Sequence, residues 1–154
     1  MFTSLNNIMK DEYITAFHDV IKETTETHGY TVPVDIEAYL VMLLSDYVER
    51  VDFLPEHSFA LEHSQLDRRN PLHAKKLGDT CLIVTGVFPD YGNRYGLKTE
   101  YFCNIGQNSY FVASIKLNDT LFRQLCENFG LVSDILKSAT GNHRTQTIVE
   151  HLLN

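Results

Sequence analysis

A chain of 154 residues with 44% apolar and 21% charged content is the size and mixture of one ordinary globular domain, able to bury a core without disulfides or metals. Its formal net charge of −7 argues against a general nucleic-acid binder or a binder of anionic membranes. Three cysteines, Cys81, Cys103 and Cys126, form no CxxC and no even set, so reduced thiols in a cytoplasmic protein are expected.

The N-terminus, Met1-Phe2-Thr3-Ser4-Leu5-Asn6-Asn7, lacks the apolar core of a signal peptide. Ser4 is a possible helix cap. The spacing of Leu5, Ile8, Met9, Tyr13, Ile14, Phe17, Val20 and Ile21 predicts a helix over 4–27, stopped at Gly29. Asp35 can cap a second helix with Ile36, Tyr39, Leu40, Leu43, Leu44, Tyr47, Val48 and Val51 on its face. Val41 and Met42 widen that stripe nearly all the way round, as in a central helix. Residues 53–69 read as a loop containing a short helical turn.

Asn70-Pro71 is a cap followed by a proline at the first helical position, the strongest helix start in the chain. After it, Cys81-Leu82-Ile83-Val84-Thr85-Gly86-Val87-Phe88 reads either as the end of one long helix or as a buried strand. The capped start favours a helix that ends at Phe88-Pro89. On it Gly78 and Gly86 lie roughly on one face and admit a close neighbour, at a cost near ~1 kcal/mol each relative to Ala. Residues 90–98 form a loop, and Thr99 can cap a fourth helix with Gly106, Ser109/Tyr110 and Ala113 as a small-residue stripe. Asn118 or Asp119 caps a fifth helix through Phe129, which Gly130 breaks or bends. Leu131, Val132, Ile135, Leu136 and Ala139 continue to Gly141, and a last amphipathic helix is expected over 144–153. The fold class is therefore all-α: a single-domain bundle, 1–154, of about six or seven helices.

The segment Leu77–Pro89, then Tyr101-Phe102, Gly106-Gln107-Asn108-Ser109-Tyr110 and Phe122–Phe129, resembles a family of small bacterial proteins described only as conserved hypothetical. Its pattern is a Gly-Asp helix ending in Gly-Phe-Phe-Pro, an Arg-Arg pair, a Tyr-Tyr pair, a Gly-x-x-x-Tyr helix and a Phe-x-x-Leu-x-x-x-Phe helix. The match covers about residues 70–137. Arg94-Tyr95 stands in place of the Arg-Arg pair and Tyr101-Phe102 in place of the Tyr-Tyr pair. The resemblance implies a mostly helical fold, which tips the helix-or-strand choice, and implies no activity.

Charge is uneven: residues 1–62 carry 3 Lys/Arg against 12 Asp/Glu, while residues 63–98 carry 6 against 3. The acidic helices are either solvated faces or a surface that docks on the basic centre. His57, His63 and His73, with Glu56, Glu62, Asp67 and Asp79, are the densest set of metal-ligand types. They carry no HExxH and no His pair at i,i+4, so surface histidines are the expectation and no metal or cofactor is assigned. Arg68-Arg69 beside a helix start could draw an anion. With Asp79, Arg94, Tyr95 and Tyr101 they outline a possible small-ligand pocket; their alternative is pairing with acidic helices. The aromatic set Tyr91, Tyr95, Tyr101, Phe102, Tyr110 and Phe111 lines either a pocket or the core. Gly92-Asn93-Arg94-Tyr95-Gly96 lacks the context of a phosphate loop, and no GxSxG is present. The functional expectation is a cytoplasmic module that binds another protein or a second copy of itself, not an enzyme. The alternative is an anion-binding or enzymatic domain with a pocket in the 68–101 region.

Overall fold

Helical periodicity becomes helix at almost every predicted place. The computed structural model describes residues 2–49, 59–64 and 70–141, and they form an all-α multi-helix fold. The helices are α1 (Phe2–His28), α2 (Val34–Glu49), α3 (Phe59–Ser64), α4 (Pro71–Gly86), α5 (Thr99–Lys116), α6 (Thr120–Glu127) and α7 (Phe129–Thr140). A 3₁₀ helix, Tyr91–Tyr95, sits between α4 and α5. Among the described residues no helix is long and apolar enough to cross a membrane. The helix expected over 144–153 lies outside the described residues. By contacts the chain gathers into two compact units, one from Met1–Val51 and Ser138–Asn154, the other from Asp52–Lys137.

In the first unit α1 begins at Phe2, ahead of the Ser4 expected to cap it. It ends in a Schellman motif: Gly29 takes φ +68°, Tyr30 N–H donates to the Thr25 carbonyl at 2.9 Å and Gly29 N–H to the Glu26 carbonyl at 3.4 Å. Glycine is needed there because an L side chain is strained at that φ. α1 and α2 pack on one another. Their buried side chains are Phe17, Val20 and Ile21 on α1 and Ile36, Leu40, Val41, Leu43 and Leu44 on α2. The expected Asp35 cap is corrected: Asp35 lies inside the first turn, and the Pro33 carbonyl accepts the first helical N–H groups, those of Ile36 and Glu37. Asp35 and Glu37 instead place negative charge at the positive end of the helix dipole.

The second unit is built around α4. Asn70 caps it as predicted, accepting the Leu72 N–H at 2.9 Å, with Pro71 at the first helical position. Every residue from Leu77 to Gly86 is buried, which is why the segment carries β-branched apolar residues all the way round, like a strand. The helix stops at Gly86, two residues short of Phe88. Thr80 and Thr85 satisfy their buried hydroxyls on the Lys76 and Leu82 carbonyls.

α5 runs antiparallel to α4, since Gly78 faces Tyr110 and Cys81 faces Gly106. The glycines are packing positions. A Cβ on Gly78 meets the Tyr110 ring at 2.7 Å, one on Gly86 meets Leu136 Cβ at 2.6 Å, and one on Gly106 meets the Phe129 ring at 2.5 Å. So α5 and α7 both close on α4 with small residues at the contact. Lys98, not Thr99, occupies the cap of α5, and it makes no side-chain cap bond. Asp119 caps α6. The break before α7 falls at Asn128 rather than Gly130: the Asn128 amide side chain competes for the Gln124 carbonyl at 2.9 Å, and Gly130 lies in the first turn of α7.

Candidate functional site

The polar side chains of interest gather where α3, α4 and α5 meet. Asp79 is buried on α4 beside Gly78, whose missing side chain lets the fully buried Tyr110 ring lie on the helix. That approach delivers the Tyr110 hydroxyl, which donates to Asp79 Oδ1 at 2.7 Å. One turn earlier on the same helix, Lys75 Nζ donates to Asp79 Oδ2 at 2.9 Å. Each carboxylate oxygen thus accepts a charge-assisted hydrogen bond from within the fold.

A second cluster ties α3 to its neighbours. His73 Nε2 lies 3.0 Å from the Glu62 carbonyl oxygen and 3.3 Å from Glu62 Oε2. Both partners accept, so Nε2 carries the hydrogen. Glu62 is itself buried. On the other side His63 Nε2 sits 2.6 Å from the Asn108 side-chain amide of α5. The two described histidines of the suspected metal set therefore bond to different helices, one to Glu62 and one to Asn108. No group of three His, Cys, Asp or Glu able to hold a metal is found among the described residues. Glu56, His57 and Asp67 lie outside them.

Of the suggested small-ligand set, Arg68 and Arg69 also lie outside the described residues, and Arg94 is placed by its backbone within the 3₁₀ helix. Tyr95 is exposed and packs its ring 5.7 Å from that of Tyr91. Tyr91 in turn contacts Phe102 at 5.9 Å, and Phe102 contacts Tyr101 at 5.2 Å. Phe59 of α3 meets the Tyr91 and Phe102 rings at 6.2 and 5.0 Å. Tyr95 and Tyr101 are thus joined through a ladder of rings that fastens the 3₁₀ helix and α3 to the start of α5. Asp79 belongs elsewhere: it is level with Tyr110, about 13 Å along the α5 axis from Tyr101 at a rise of about 1.5 Å per residue.

The pairs Tyr110–Asp79 and His73–Glu62 were not anticipated. Only one signal pointed to the first: a tyrosine in a buried small-residue stripe must find a partner for its hydroxyl. Nucleophilic chemistry finds no support in the thiols. Burial pushes Cys81 far above the usual thiol range, and burial also raises Cys103 and Cys126.

Several large apolar side chains among the described residues are exposed, Val34 most of all, and two of them share one face of α5. α5 carries charge only at its two ends, Glu100 and Lys116. On its outer face Phe111 is 44% exposed and Ile115, one turn on, 64%. Leu72, 58% exposed on α4, lies at the same level of the antiparallel pair. Comparison with family models, with curated proteins and with solved structures returns no match for this chain.

Proposed function

We propose that this chain is a cytoplasmic protein-interaction module that docks through the outer face of α5. The observation that carries the reading is the exposure of Phe111 and Ile115 on a helix face with no charge between Tyr101 and Ile115. Phe111 and Ile115 leave about half of their surface in water, which forgoes roughly half of the 1.5–3 kcal/mol that full burial of each is worth, and a partner recovers it. The polar groups that could serve chemistry point the other way: Asp79, Glu62 and His73 bond within the fold. Free, buried or half-buried thiols agree with a reducing compartment.

The test is a photo-crosslinking amino acid at position 111, compared with one at the exposed Arg123 of α6, in cells that make the protein. The expected result is a discrete crosslinked species from position 111 only, of twice the chain mass for a second copy or of another mass for a different partner. Equal, diffuse labelling from both positions overturns the reading.

A further inference from the structure

We draw no further inference here: the strongest candidate, the exposed apolar patch of Phe111 and Ile115 on the outer face of α5, belongs to the docking surface already described, and nothing in the structure shows what covers it.

Discussion

At the scale of single residues the second unit turns on Gly78, Asp79 and Tyr110. The glycine admits the ring, the ring carries the hydroxyl to the carboxylate, and Lys75 holds the other oxygen. Tyr110→Phe keeps the ring and deletes the donor to a buried charge. Hydrogen bonds to charged groups are worth about 1.5–3 kcal/mol, so urea denaturation should show a loss of that size with unchanged helical content. A loss under about 0.5 kcal/mol means the Asp79 carboxylate does not depend on the tyrosine donor. Gly78 and Gly106 were legible as packing positions because a glycine inside a helix is costly unless a neighbour uses the space. The bond between Asp79 and Tyr110 was not, since it joins residues 31 apart and depends on how two helices are set against one another. For the same reason Asp79 was grouped with Tyr95 and Tyr101, from which the register of α4 on α5 separates it.

At the scale of elements the helix boundaries are chemical events, and the dipeptide Asn118-Asp119 contains two. Asn118 has φ 50° and closes α5 in a Schellman pattern, its N–H donating to the Ile115 carbonyl at 3.3 Å while the Asp119 N–H reaches the Ser114 carbonyl at 3.2 Å. Asp119 then accepts the Leu121 N–H at 2.9 Å and opens α6. Asn118→Val should cost about 1–2 kcal/mol, the price of a left-handed conformation for an L residue, whereas Asn118→Gly should be neutral or slightly stabilising. Thermal unfolding of the two variants checks the pair, and equal midpoints remove the φ argument. Caps were legible where the sequence offered a single candidate, as at Asn70. They were misplaced at Asp35 and Thr99, because residues that favour a cap are also accepted in the first turn, where dipole or solvent satisfies them. The strand-like run from Cys81 to Val84 became helix because α4 is surrounded, which erases the amphipathic period that distinguishes the two.

At the scale of the whole molecule, charge and apolar surface pull in opposite directions. Two copies of net charge −7 repel over long range, while the outer face of α5 carries no charge between Tyr101 and Ile115. Salt separates these terms by distance. Raising NaCl from about 0.01 M to about 0.1 M shortens the screening length from about 30 Å to about 10 Å. That removes most of the repulsion between whole chains and leaves close pairs largely intact. The burial of Phe111 and Ile115 does not weaken with salt, and sulfate strengthens it. If the partner of this face is a second copy, the association should therefore tighten over this NaCl range and tighten again on replacing chloride by sulfate, read as dissociation constants from sedimentation. Continuous loosening from the lowest salt upward identifies a contact made chiefly of ion pairs, and in that case the exposed apolar residues of α5 are not what brings two chains together.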